Sequence, residues 1–116
     1  MITLKHYPVS EKSAVVVMGG QLDADGCRQI ELPLWEIIQQ YPGSQLVIDL
    51  TYVNYLSSFA VGFLVEACGT VMQYGGKMSI SNPQPHVYET LYLNGADMVI
   101  PIYESYKAAL ADGQYS

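Results

Sequence analysis

The six residues QLVIDL at 45–50 limit the choice of fold more than any other stretch. The turn signal YPGS (41–44) comes before them, and the run is too short for a stable helix. It is also too apolar for an edge, so it reads as a central buried strand. Such a strand needs partners on either side and helices over its faces. ITLKHY (2–7) alternates like a half-buried strand, and SAVVVMG (13–19) is a more continuous, more buried one. PVSEK (8–12) turns between them, so these two pair as a hairpin or lie as near neighbours. KMSISN (77–82) reads as a fourth strand and MVIPIY (98–103) as a short strand or extended segment.

Helical spacing fills the gaps. Ile30, Leu34, Ile37, Ile38 and Tyr41 recur on one face, with Asp23 or Asp25 as the cap. Pro33 interrupts that stretch, and its missing N–H predicts a kink or a late helix start. From Ala60 on, Val61, Leu64, Ala67, Cys68, Val71 and Met72 line a second helix, which YGG (74–76) ends. QPHVYETLYLNG (84–95) reads as a third helix with a left-handed cap at Asn94-Gly95, and ESYKAALA (104–111) as a fourth. The order β-β-α-β-α-β-α-β-α predicts a single α/β domain over 1–116 with a mostly parallel sheet of about five strands.

Composition narrows the function. Half the residues are hydrophobic and 14% are charged, which describes a folded chain and not a disordered one. The formal net charge is −6, and the five cations (Lys5, Lys12, Arg28, Lys77, Lys107) are scattered. Nucleic-acid binding lacks its cationic footprint, and acidic membrane surfaces are poor partners for the same reason. Cys27 and Cys68 form neither a CxxC nor a disulfide framework, so a reducing cytoplasm is expected. The N-terminal residues show no signal-peptide core, and the apolar run 59–65 is too short to span a bilayer.

The stretch NYLSSFAVGFL (54–64) carries the chemistry. It sets two hydroxyls at a strand-to-helix junction with a large aromatic directly after them. Helix N-termini leave N–H groups unpaired and carry partial positive charge, so a hydroxyl there caps the helix or accepts a phosphate. On a helical wheel Phe59 falls opposite the stripe of Ala60, Leu64, Ala67 and Val71, with Phe63 at its margin. An exposed Phe59 is a partner anchor, and Tyr52 and Tyr55 are candidates for the same patch. A nucleophile elbow wants Gly two residues either side of the serine, where Leu56 and Ala60 stand. DADG (23–26) lacks the later ligands of a calcium loop, and YGGKMS (74–79) lacks Walker spacing. No catalysis, metal or cofactor is expected.

The element order, GGQLDA (19–24), LVIDLTYVNYL (46–56) and YLNGADMVIPIYESYKAAL (92–110) together resemble the STAS domain family, over nearly the whole chain. That family includes the anti-sigma factor antagonists of bacteria and domains of sulfate transporters. The resemblance implies a small mixed β-sheet with helices mainly on one side. It also implies a phosphorylation motif, Asp-Ser-Ser/Thr-Gly, at the start of the second helix. Here Ser57, Ser58, Phe59 and Ala60 align with it, so the phosphoacceptor Ser58 is kept and the other three positions differ. The function implied is a non-enzymatic protein-binding regulator. It would dock a kinase-type anti-sigma factor through the surface around 20–25 and 51–59, with Asp23, Tyr55, Ser57 and Phe59 as contacts. Phosphate on Ser58 would release the partner. The alternative is a STAS subunit without a phosphosite, in a signalling scaffold or a lipid-transport complex. A homo-dimer is left open.

Overall fold

The computed structural model describes residues 1–113. Five strands, β1 (Thr3–Ser10), β2 (Ser13–Leu22), β3 (Gln45–Leu56), β4 (Lys77–Ser81) and β5 (Ile102–Tyr103), form one sheet in the order β1-β2-β3-β4-β5. β1 runs antiparallel to β2, and every other pair is parallel, so the sheet is mixed. The helices are α1 (Ala24–Gln40), α2 (Ser58–Gln73), α3 (Pro85–Leu93) and α4 (Tyr106–Gly113), with a 3-10 turn at Ala96–Met98.

Strand residues alternate between two faces. Val16, Met18, Ile48, Leu50 and Ile80 point to one side and join a continuous core with Ile30 and Leu34 of α1, Leu64 and Val71 of α2, and Val87 and Leu91 of α3. Val15 and Val47 point the other way, where they meet Ala109 and Leu110 of α4 in a small cluster. Three helices therefore cover one face and one helix covers part of the other, as expected for helices mainly on one side.

Three local expectations are corrected. α1 starts at Ala24 and runs through Pro33 without a break, so there is no late start. Pro33 lies on the exposed side of α1, where water reaches the Gln29 carbonyl left without its intrahelical donor. The strand expected over QLVIDL (45–50) does not end at Leu50, because β3 continues to Leu56. Against β2 the register of β3 slips twice, between Val17 and Gly19 and between Gly20 and Gln21. Each slip inserts an extra residue on β3, a bulge that resets the alternation. Leu50, Val53 and Leu56 are then buried at intervals of three instead of two. At the second slip Gly20 adopts φ +98°, and a Cβ there would sit 2.0 Å from the Met1 carbonyl oxygen, so only glycine fits. Finally, β5 is two residues long, since the 3-10 turn takes up part of MVIPIY. The left-handed cap is found at Gly95, φ +76°.

Candidate functional site

The parallel pair β2 and β3 ends in register, Leu22 beside Leu56. One residue later each strand gives way to a helix, so the starts of α1 and α2 stand side by side at the carboxyl end of the sheet. The crevice outside the carboxyl ends of parallel strands is where open α/β sheets usually bind their ligands. Asp23 caps α1: its Oδ1 accepts from the Gly26 N–H at 2.8 Å, and its carbonyl accepts from the Cys27 N–H at 2.8 Å. Ser57 caps α2 in the same way, with Oγ accepting from the Ala60 N–H at 3.1 Å and its carbonyl from the Val61 N–H at 3.1 Å. The Ser57 N–H donates to the Leu22 carbonyl at 3.0 Å, which ties the second helix start to the end of β2.

The two serines thus have different tasks. Ser57 is half-buried and committed to the cap. Ser58 is the first residue of α2; it is exposed, and no hydrogen bond from its hydroxyl is found among the described residues. Phe59 follows with 61% of its surface exposed, on the side of the helix away from Ala60, Leu64, Ala67 and Val71, which are all buried.

Ser58 and Phe59 form one end of a groove of about 440 Å³ between α1 and α2. Trp35, Phe63 and Ile38 give it an apolar lining, and Glu31 and Glu66 add negative charge. Among the described residues, no Lys, Arg or His lines it. Trp35, Glu31 and Glu66 were not singled out in the sequence, although a signal exists. Glu31, Leu34, Trp35 and Ile38 follow i, i+3, i+4, i+7, and Phe59, Gly62, Phe63 and Glu66 repeat that spacing on α2.

Tyr55 is 49% exposed on the last turn of β3, opposite Gln21, and does not line the groove. Tyr52 belongs elsewhere: the first bulge turns it toward the α4 side of the sheet, where it lines a separate cleft. The expected single patch of Tyr52, Tyr55 and Phe59 therefore does not form around the groove.

Both histidines are engaged with other groups than Ser58. His86 bonds the Asn54 carbonyl through Nε2 at 2.7 Å, and His6 packs its ring edge-on to Tyr41. The two thiols are buried and held in the protonated form. Burial, then the charges of Asp23 and Glu31, push Cys27 up to about 11, and burial raises Cys68. No group of three or more His, Cys, Asp or Glu that could hold a metal occurs among the described residues, and none of their helices is long and apolar enough to cross a membrane.

The STAS domain family matches residues 5–109. This chain belongs to that family. The anti-sigma F factor antagonist of Paenibacillus polymyxa is 24% identical over 98 residues, covering 84% of each protein. The STAS fold superposes on the crystal structure of an anti-sigma factor antagonist from Mycobacterium paratuberculosis with a TM-score of 0.86, at 23% identity, over 98% of this chain and 95% of that one. It also superposes on the Bacillus cell fate determinant SpoIIAA in its phosphorylated form, with a TM-score of 0.66 at 18% identity over 91% and 96% of the two chains.

Proposed function

We propose that this STAS domain is a non-enzymatic, cytoplasmic regulator of the anti-sigma factor antagonist type. It docks a kinase-type anti-sigma factor on the paired helix starts, with Asp23, Tyr55, Ser57 and Phe59 in the contact surface. Ser58 is the phosphoacceptor: its Oγ attacks the γ-phosphorus of ATP held by the partner, ADP leaves, and the hydroxyl proton passes to a base on the partner. The observation that carries this reading is the division of labour between the two serines. Ser57 makes the cap, so the hydroxyl of Ser58 stands exposed and uncommitted at the positive end of α2. The N–H groups of Ser58 and Phe59 have no carbonyl one turn back to bond, so a phosphate there meets donors and a favourable dipole. The same phosphate adds charge beside the acidic, apolar groove, enough to expel a partner seated on Phe59.

Phe59 favours a second reading. A hydrophobic side chain occupies the position of the family's second hydroxyl and is exposed, which suits a permanent contact as well as a switched one. Phosphosite mass spectrometry on protein purified from its host, beside Ser58→Ala, separates the two. Phosphate on Ser58 that disappears in the variant supports the switch. An unmodified chain across growth conditions assigns the protein to the constitutive subunits, with partner binding then lost in Phe59→Ala.

A further inference from the structure

We infer that the open cleft on the α4 side of the sheet is a binding site for an organic cation carried on an apolar stem, such as a guanidinium or alkylammonium group. The site goes beyond the docking surface and lies on the opposite face of the sheet. α4 covers Val15 and Val47 but leaves the sheet beyond its first residue uncovered. The result is a cleft of about 670 Å³ with Val15 and Val17 in its apolar lining and Tyr7, Tyr52 and Tyr106, from three different elements, beside them.

Asp49 also lines the cleft, although only 6% of its surface is exposed. Its Oδ2 accepts from the Ser81 hydroxyl at 2.7 Å and its Oδ1 from the Thr51 N–H at 3.0 Å. Both donors are neutral, and each oxygen keeps a second acceptor site. Among the described residues, no Lys, Arg or His lines the cleft. A buried carboxylate with hydrogen bonds but no counter-charge is held at a cost that a cation would relieve. Tyrosine faces attract a cation in the same place, and the valines accept its hydrocarbon stem. An anion is repelled by Asp49, and a neutral molecule of the same shape gains only the apolar contact. The residues therefore select by charge.

The test is an amide NMR titration of the full chain with n-butylguanidinium, with neutral n-butylurea as the control. Saturable shifts confined to the neighbourhoods of Tyr7, Val17, Asp49, Tyr52 and Tyr106 are expected. The urea should bind at least about tenfold more weakly, since it lacks the charge-assisted contact. Asp49→Asn keeps an acceptor for Thr51 and a donor for Ser81 while removing the charge, and should weaken binding by at least about tenfold. Tyr52→Leu, at an exposed position, leaves the fold intact and should weaken guanidinium binding more than urea binding. It decides the matter if Asp49→Asn does not fold. An acetyl-Gly-Arg-Gly-amide peptide identifies the source: tighter binding than butylguanidinium points to an arginine of a partner chain, and weaker binding to a free small cation. Absence of saturation, equal binding of the urea, or unchanged affinity in both variants overturns the assignment.

Discussion

The two faces of the sheet are made by alternate residues of the same strands, yet they are finished differently. Val16, Met18, Ile48 and Leu50 lie under α1, α2 and α3 in one continuous core. Their neighbours Val15, Val17, Val47 and Asp49 face a single eight-residue helix that covers them only in part. The first face holds the domain together and sets two helix starts side by side. The second keeps accessible surface, three tyrosines and a buried carboxylate. A small domain can therefore concentrate its stability on one side of a sheet and keep the other for contacts.

Stability measurements sharpen this contrast. Leu64→Ala, in the sealed core, should cost about 3–4 kcal/mol, read as a lower urea midpoint. Leu110→Ala, at the half-buried edge of the α4 cluster, should cost no more than about 1 kcal/mol. Equal losses would mean that the α4 face is a second full core. An effect smaller than that of Leu64→Ala comes from alkaline titration. The Cys27 thiol is raised from 9.0 to about 11 in the folded chain, so the native state holds its proton more tightly than the unfolded state. That contribution is complete below pH 9 and is lost as pH rises through about 11, by which point the loss should reach roughly 2 kcal/mol. Cys27→Ala should flatten the curve. Tyr103, on the α4 side, is raised by its hydrogen bond to Asp112 and acts in the same direction, so the flattening should be partial. The serine pair gives the smallest effects. Ser57→Ala should cost about 1 kcal/mol through the lost cap, and Ser58→Ala should stay within about 0.5 kcal/mol. Thermal melts of the two variants check this, and a reversed order would place the cap on Ser58.

Much of this was legible in the residues. The alternation of ITLKHY, the continuous apolar runs SAVVVMG and QLVIDL, and the 3.6-residue stripes of α1 and α2 predict the architecture, because apolar residues fall where the backbone turns them toward the core. The exposure of Phe59 followed from the same wheel. The extension of β3 did not follow, because its two bulges destroy the alternation by which a strand is recognised. Tyr52 was misplaced for the same reason: one inserted residue sends a side chain to the other face of a sheet. The late start expected at Pro33 does not occur, because the cost of that proline depends on whether the carbonyl it leaves unbonded faces water, which only the packed helix reveals. Asp49 read as one more residue in an apolar run. Its importance lies in Ser81 and the cleft, contacts made far along the chain.

β3 outruns β4, whose pairing ends at Ser81 beside Asp49. The seven residues from Leu50 to Leu56 lie beyond the β3-β4 pairing, and an unpaired strand edge is a template for another chain. Two side chains at the approach to α3 fill the gap. Gln84 donates from Nε2 to the Thr51 carbonyl at 3.1 Å, and the His86 ring bonds the Asn54 carbonyl. They occupy two of the carbonyl acceptors that an incoming strand would use, so an amide and an imidazole stand where another backbone would pair. The start of a helix thus serves as the missing neighbour of the sheet's longest strand.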